Sequence, residues 1–215
     1  MMQGPNLMYL PTLYREQDRQ KILTFLREND FAIFVTYDGE RPIATHAPTE
    51  VVENEDGTLT VYTHISRANP QWKNLSALAP GQECLMIFTG PHAYISPRWY
   101  NHVNVPTWNY TMIHLYGKPV VMDDDEFRGL LSRLIQRHEA ANPEYRLESL
   151  PPEFVQKEMR GAVGIKMEVT RIDAGFKLSQ NRNDEDYQNI IAELEKRPDE
   201  MSHGVGKAMK EKRPA

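Results

Sequence analysis

The sequence predicts a mainly β protein, an antiparallel β-barrel with α additions at its periphery. Segments rich in β-branched and aromatic residues are separated by Asp38-Gly39 and Asp56-Gly57. Such pairs favour hairpins because both residues tolerate positive φ. Parallel α/β winding would need a helix between most strands, and the first half of the chain lacks that alternation. Strands joined by tight turns therefore favour the barrel.

Eight strand segments follow from these patterns. Gly90-Pro91 is expected to turn the chain between two of them, and Gly117 is expected to bulge the longest. From Val163 to Val169 apolar and polar residues alternate, as they do in a strand with one buried face. The predicted strands span residues 31–37, 42–46, 49–53, 58–64, 84–89, 93–96, 110–122 and 163–172.

Helices are predicted where apolar residues recur at helical spacing. The acids from Asp123 to Glu126 also mark a helix start, because the helix dipole favours negative charge there. We expect one domain over residues 1–200 and a flexible basic tail over 201–215. The predicted helices span 15–28, 68–78 (ended by Pro80-Gly81), 123–138, a short segment from Pro151-Pro152, and 184–196.

Composition narrows the class of protein and its partners. The 215 residues are 40% hydrophobic and 26% charged, as in an ordinary globular protein. A net charge of −5 argues against attraction of nucleic acid by the whole surface. The single cysteine, Cys84, excludes an intrachain disulfide. With no signal-peptide pattern and no apolar run of about 20 residues, we expect a cytoplasmic protein without a membrane partner.

The segment from Tyr62 to Lys73 carries the most informative pattern. A strand there passes into a helix start beside Ser66 and Arg67, so a hydroxyl, a guanidinium and free backbone N–H groups meet. That combination suits a phosphate group. A capped helix with a surface arginine explains the same residues equally well, and the sequence leaves both interpretations open.

Three further segments are candidates for ligand contacts. Residues 41–48 combine flanking prolines with small side chains that let a flat ligand approach, and His46 is either a ring ligand or a packed residue. The aromatic residues of 90–110 suit a ligand wall, a subunit contact or a satellite core. Residues 175–182 place polar donors beside a glycine, where they either reach a ligand or cap the last helix.

Five motifs, taken together and in order, make a resemblance specific. They resemble the PaiB-type FMN-binding negative transcriptional regulator family, over about residues 8–194, and more widely the pyridoxamine-phosphate-oxidase-like flavin proteins. The resemblance implies an FMN-binding split β-barrel that works as a homodimer with flavin at the subunit interface. The motifs are Arg-Pro-Ile-Ala-Thr-His from Arg41, His-Ile-Ser-Arg-Ala-Asn-Pro-Gln-Trp from His64, Gly-Pro-His-Ala-Tyr-Ile-Ser-Pro-Arg-Trp-Tyr from Gly90, Val-Pro-Thr-Trp-Asn-Tyr from Val105 and Lys-Leu-Ser-Gln-Asn-Arg from Lys177.

The resemblance also implies which residues bind FMN. Ser66 and Arg67 look like phosphate ligands. The related oxidases commonly carry a lysine after the arginine, where this chain has Ala68, and Lys73 is the candidate to replace it. Groups that resemble the lining of the ribityl chain and ring are Thr45, His46 and Thr63, with Ser179 and Gln180 near the flavin, from the same or from the other subunit.

Three functions remain, the third being a stress or detoxification protein that only sequesters a cofactor. The first is an FMN-binding regulator with DNA or a regulatory protein as partner, although no helix-turn-helix pattern is evident. The second is an FMN-dependent oxidoreductase acting on a small molecule, with His92, Tyr94 and Trp108 on the substrate side. The sequence identifies no catalytic residue. Histidine spacings match no standard ligand pattern, so we expect no metal.

Overall fold

The computed structural model describes residues 8–78 and 81–213, which form two compact units. The central unit comprises residues 26–78, 81–87 and 115–172. The terminal unit comprises residues 8–25, 88–114 and 173–213. The sequence predicts one domain over 1–200, and that assignment stays a prediction. Residues 1–7, 79–80 and 214–215, on which parts of the predicted domain, helix end and tail fall, lie outside the described residues.

Six antiparallel strands in the described residues confirm the predicted fold class. They are hydrogen-bonded in the order β1-β2-β3-β6-β5-β4, and β1 also pairs with β4 from Ile33↔Ile87 to Val35↔Leu85, so the sheet closes on itself. The strands are β1 (Phe31–Tyr37), β2 (Pro42–Glu53), β3 (Leu59–Ser66), β4 (Cys84–Ile95), β5 (Thr107–Val121) and β6 (Ala162–Lys177).

Two strands, β2 and β4, run through positions where the sequence predicts a break. β2 runs unbroken through Pro48, where two separate strands were expected. β4 continues through Gly90-Pro91, so the predicted turn there is wrong. A Cβ at Gly90 would come within 2.5 Å of the Phe25 ring and the Thr111 hydroxyl. The glycine therefore permits a close approach rather than a turn.

Five α-helices lie in the described part of the chain. The first begins four residues later than predicted, because the Asp18 carboxylate accepts hydrogen bonds from the N–H groups of Gln20 (2.9 Å) and Lys21 (3.2 Å) and so caps it. The predicted helix at 68–78 is a 3₁₀ helix, Pro70–Ala77. The α-helices are α1 (Arg19–Glu28), α2 (Asp124–His138), α3 (Pro152–Arg160), α4 (Asp184–Glu195) and α5 (Glu200–Lys212).

The structure places helix α5 where the sequence predicts a flexible tail. Asp199 caps this helix by accepting from the N–H of Ser202 at 2.8 Å. Val205 and Met209 are fully buried on one face. The Tyr187 hydroxyl on α4 donates to the carbonyl of Met209 at 2.7 Å. Burial of an apolar stripe therefore stabilises the segment despite its lysines and glycines.

Each unit has its own buried apolar residues. In the central unit, Phe127, Leu130 and Leu134 of α2 pack with Met122. Gly164 on β6 permits this packing, because a Cβ there would lie 2.7 Å from the Phe127 ring. None of the described helices is both long and apolar enough to cross a membrane.

Candidate functional site

The predicted anion site begins where β3 ends at Ser66. The chain then turns into the 3₁₀ helix, whose cap is Asn69. The Asn69 side chain accepts a hydrogen bond from the N–H of Gln71 at 3.0 Å, and Pro70 occupies the first helical position. The sequence Asn-Pro-Gln therefore sets a sharp start directly after Arg67.

Arg67 is exposed, but its guanidinium is already oriented by the protein. Nε donates to the carbonyl of Arg160 at 2.7 Å, and Nη2 donates to the carbonyl of Ala162 at 2.9 Å. These carbonyls lie at the end of α3 and the start of β6, where a cation and a donor are both favourable. No described acceptor takes Nη1. Arg67 is thus held in place with donors to spare.

A second cation, Lys73, lies beside the same aromatic ring. The Arg67 guanidinium carbon and the Lys73 Nζ are each 5.8 Å from the Trp72 ring centroid. The Trp72 Nε1 donates to the Arg67 carbonyl at 3.1 Å, which fixes the indole in the turn. Ser66, also exposed, accepts weakly from the N–H of Ala68 at 3.3 Å. Arg67 and Lys73 therefore both border the Trp72 ring, and Ser66 directly precedes Arg67.

Thr45 belongs to a hydrogen-bond network that links β2 to the 3₁₀ helix. Its hydroxyl accepts from Asn69 at 2.8 Å and donates to Gln71 Oε1 at 2.5 Å. Gln71 is fully buried and donates to the carbonyls of Phe34 and Ile43. Sequence reasoning did not select Asn69 and Gln71. The Asn-Pro pair was the available indication, since asparagine before proline is typical of a helix cap.

Thr63 and His46 have opposite exposures. Thr63 is fully buried and its hydroxyl donates to the Pro48 carbonyl at 2.8 Å, so it joins β3 to β2. His46 is exposed, and its ring stacks on Phe31 with 6.3 Å between centroids. A ligand can therefore reach the His46 ring directly, whereas the Thr63 hydroxyl is buried and already hydrogen-bonded.

His64, which begins the motif that contains Ser66 and Arg67, was also not selected as a candidate ligand. Burial lowers the pKa of His64, so the imidazole is neutral near pH 7. Its ring packs 6.0 Å from that of Phe127, and its buried Nδ1 has no partner among residues 8–78 and 81–213. An unpartnered buried nitrogen costs free energy.

The other two predicted residues, Ser179 and Gln180, lie in the terminal unit. Ser179 is buried with φ of 60°, and its hydroxyl donates to Asn109 Oδ1 at 3.1 Å and accepts from Asn109 Nδ2 at 2.9 Å. The Gln180 amide accepts from the N–H of Leu178 at 2.7 Å and donates to the carbonyl of Phe176 at 2.5 Å. Both side chains therefore shape the turn that follows β6.

Arg67 also lines a cavity of about 470 Å³ in the central unit. Three arginines and three carboxylates line it, so its charge is mixed rather than cationic. A dianion there would meet carboxylates as well as guanidinium groups, whereas the turn at Trp72 presents cations. The charged lining residues are Arg67, Arg128, Arg160, Asp124, Asp125 and Glu153.

The terminal unit carries an exposed group of aromatic rings. Trp108 is 53% exposed, and its ring centroid lies 6.0 Å from Tyr94 and 6.2 Å from His92. The structure thus brings together the three residues predicted for the substrate side. Within the described ranges, no group of three or more histidine, cysteine or acidic side chains is arranged to hold a metal ion.

The donors around Trp72 fit the phosphate end of FMN. Ser66 and Arg67 are exposed, oriented by the backbone, and able to donate to an oxyanion. Four other predicted residues instead use their polar atoms in hydrogen bonds within the protein, namely Thr45, Thr63, Ser179 and Gln180. Four of the eight predicted residues therefore have a structural role in the fold.

Comparison with known proteins gives consistent results. The chain is 36% identical over 206 residues to "Protease synthase and sporulation protein PAI 2" of Bacillus subtilis (strain 168), covering 95% of this chain and 98% of that protein. Two solved structures share the fold. The FAD and heme binding protein of Mycobacterium smegmatis has TM-score 0.60 at 18% identity, covering 81% and 79% of the two chains. The flavocytochrome Anf3 of Azotobacter vinelandii has TM-score 0.58 at 17% identity, covering 81% and 75%.

A family model matches residues 8–171, which is most of the chain. The predicted PaiB-type resemblance and the predicted cofactor, FMN, are both confirmed at the level of this family. The chain belongs to the family described as "Putative FMN-binding domain".

Proposed function

We propose that the protein works as a homodimer that binds FMN at the subunit interface, with Ser66, Arg67 and Lys73 on the phosphate. One observation carries the proposal: Arg67 and Lys73 each lie 5.8 Å from the Trp72 ring centroid, and the indole is held in the turn by its hydrogen bond to the Arg67 carbonyl. Two cations and a hydroxyl beside a helix start suit a dianion. Family membership supports FMN as the molecule that carries it.

The remaining predicted residues divide into contacts and supports. His46 is exposed on β2 and is the proposed contact to the flavin ring. Thr45 and Thr63 hold β2 against its neighbours, so they position the ribityl side of the site. Ser179 and Gln180 keep the shape of the turn after β6, which we propose lies near the flavin of the partner subunit.

Exposed apolar side chains support the dimer. Val103 is fully exposed, Val105 is 69% exposed and Trp108 is 53% exposed, all within one stretch of the terminal unit. Apolar groups gathered on a surface often mark an association site. Light scattering coupled to size-exclusion chromatography tests this: we expect the mass of a dimer, and a monomer at all concentrations would contradict the interface location.

A regulatory role is the first function that we propose. The name of the Bacillus subtilis relative links that protein to protease synthesis and sporulation, and we extend such a role to this chain. Contact with a regulatory protein is favoured over contact with DNA, because the lysines of α5 and the arginine that follows the helix already pair with carboxylates. Those pairs are Lys207–Glu211, Lys210–Glu195, Lys212–Glu16 and Arg213–Asp184.

The DNA alternative has a direct test. We expect no gel shift with genomic promoter fragments at low salt, where phosphate contacts are strongest. A sequence-specific shift under those conditions would show that the protein itself contacts DNA. If no shift is seen, the regulatory partner is sought among proteins of the cytoplasm, the expected compartment.

An FMN-dependent oxidoreductase is the second candidate. The exposed rings of His92, Tyr94 and Trp108 favour it, since aromatic side chains suit a planar substrate. FMN supplies the electron chemistry, and the chain supplies binding and orientation. Anaerobic addition of NADPH or NADH to the FMN complex is the test. Loss of the flavin absorbance would support the oxidoreductase function. A flavin that is reduced by neither NADPH nor NADH would count against it.

The phosphate contacts are best tested by comparing FMN with riboflavin. Arg67→Met and Lys73→Met are each expected to weaken FMN binding about tenfold, because each removes a charge-assisted contact, and to leave riboflavin binding unchanged. Lys157→Met, which removes an exposed lysine of α3, is the matched control. Equal losses for FMN and riboflavin would indicate a folding defect, and no loss for FMN would refute the assignment.

A further inference from the structure

The turn after β6 carries two cations that the proposed FMN contacts do not use. Lys177 ends β6, and Arg182 lies five residues later, beyond the strained Ser179. Both are partly buried. Neither makes an ion pair in the part of the chain that the structure describes, whereas four other cations of the same unit do, namely Lys196, Lys210, Lys212 and Arg213.

Aromatic rings from two other segments border these cations. The Lys177 Nζ lies 6.0 Å from the centre of the Tyr14 ring and bonds to the Thr107 hydroxyl. The Arg182 guanidinium carbon lies 4.8 Å from the centre of the Tyr100 ring. These contacts orient both cations without neutralising them.

The two cations are close enough to affect each other. Burial lowers the pKa of Lys177, and the positive charge of Arg182 lowers it further. Like charges held together in a partly dry environment cost free energy, and an anion between them would remove that cost.

The Tyr100 hydroxyl provides an independent observation. Tyr100 is only 8% exposed, and its buried hydroxyl has no hydrogen-bond partner of good geometry among residues 8–78 and 81–213. The Arg182 guanidinium lies close enough to act on the hydroxyl oxygen as a donor, but it cannot accept the hydroxyl proton. A buried hydroxyl is normally paired, so this one has a donor available for an absent acceptor.

The nearby carboxylate does not compete for these donors. Asp186 is fully buried and accepts from the N–H of Asn101 at 2.8 Å and from Asn183 Nδ2 at 3.2 Å. Its second oxygen also lies 3.2 Å from His102 Nδ1. It is therefore used to hold the loop that carries Tyr100.

We infer that Lys177 and Arg182, together with the Tyr100 hydroxyl, form a binding site for an oxyanion, the phosphate or carboxylate group of a small molecule. Arg213 supports the site, because its guanidinium donates to the carbonyls of Gln180 (3.1 Å) and Arg182 (3.2 Å) and so holds the turn. This site does not depend on the contacts proposed at Arg67 and stands even if FMN binds elsewhere.

Calorimetric titration with inorganic phosphate at constant ionic strength tests the site. We expect saturable binding to the full-length protein, weakened about tenfold or more in Lys177→Met and in Arg182→Met. Lys177→Arg should restore part of the affinity because it keeps the charge. Lys196→Met, which removes an exposed lysine of the same unit, should leave binding unchanged. Absence of saturable binding, or wild-type affinity in both methionine variants, would overturn the site.

Tyr100→Phe separates a ligand role from a structural one. Removing an unpartnered buried hydroxyl should leave the melting temperature of the free protein equal or higher, while phosphate affinity falls several-fold. A lower melting temperature with unchanged phosphate affinity would contradict the role of the hydroxyl.

Repeating the titration with FMN-saturated protein distinguishes the two sources of the oxyanion. Phosphate that still binds indicates a second small molecule. If FMN excludes phosphate and Lys177→Met weakens FMN but not riboflavin, the anion is the FMN phosphate.

Discussion

Gly117 offers a quantitative test of how closely β5 and β6 approach. A Cβ at this position would lie 2.1 Å from the backbone oxygen of Glu168 and 2.9 Å from Met167 Cγ. A carbon–oxygen contact normally needs about 3.3 Å, so the β6 backbone would have to retreat by roughly 1.2 Å. That distance breaks about two ladder hydrogen bonds at about 1 kcal/mol each, in addition to overpacking. We expect Gly117→Ala to lower the free energy of unfolding by about 2–4 kcal/mol.

Urea unfolding followed by circular dichroism measures this loss as a lower midpoint at unchanged slope. Gly206→Ala is the control, because a Cβ there would meet only Glu195 and Leu194 at 3.8 Å, within helix α5. Alanine should stabilise that helix by about 0.5–1 kcal/mol. Equal stability of Gly117→Ala and the wild-type protein would refute the close approach.

Three further predictions concern buried polar and thiol groups. Burial raises the pKa of the Glu16 carboxyl, but its bonds to Lys212 and to backbone N–H groups have the larger, opposite effect. The pKa of Glu16 therefore lies below the ordinary 4.5. The carboxylate therefore adds stability at neutral pH that is lost as pH falls below about 4.5. Lys212→Met should lower the melting temperature clearly at pH 7 and much less at pH 3. Equal losses at both pH values would contradict the linkage. Burial raises the pKa of Cys84 to about 11, so Ellman's reagent should label it only in denaturant, and rapid labelling of native protein would show the burial to be wrong. Gln71→Leu should cost about 2–4 kcal/mol in thermal unfolding, because two buried carbonyls and Thr45 lose partners; a neutral effect would exclude the network.

Sequence patterns located most strands and helices because these depend on local chemistry. β1 has the predicted bounds, since a run of β-branched and aromatic residues and the Asp-Gly pair after it define the strand by themselves. Helix α2 starts within one residue of its prediction, because Asp123 is a cap that accepts from the N–H of Glu126 at 2.8 Å. The 201–215 segment was predicted as a tail because its lysines and glycines outweigh the apolar stripe that the structure buries.

The candidate site was predictable only in part. The motif at Ser66 and Arg67 is visible in the sequence as a strand passing into a helix start. The sequence does not show that Arg67 also donates to carbonyls some ninety residues away. Gln71 and Tyr100 were also hidden, because a glutamine or tyrosine side chain does not show in sequence whether its polar atoms have buried partners.

The sequence by itself determined the family, through the resemblance of its five motifs, and with the family the cofactor class. It also determined the alternating faces of the strands, because these depend on residue type and spacing along the chain. Tertiary structure alone decided which polar atoms are consumed by the protein, which cations stay unpaired, and where glycines permit close approach. Those properties depend on neighbours distant in sequence, as at Arg182 and Gly117. Hydrogen bonding, burial and like-charge repulsion act through space, so they exist only once the strands are paired and the helices packed.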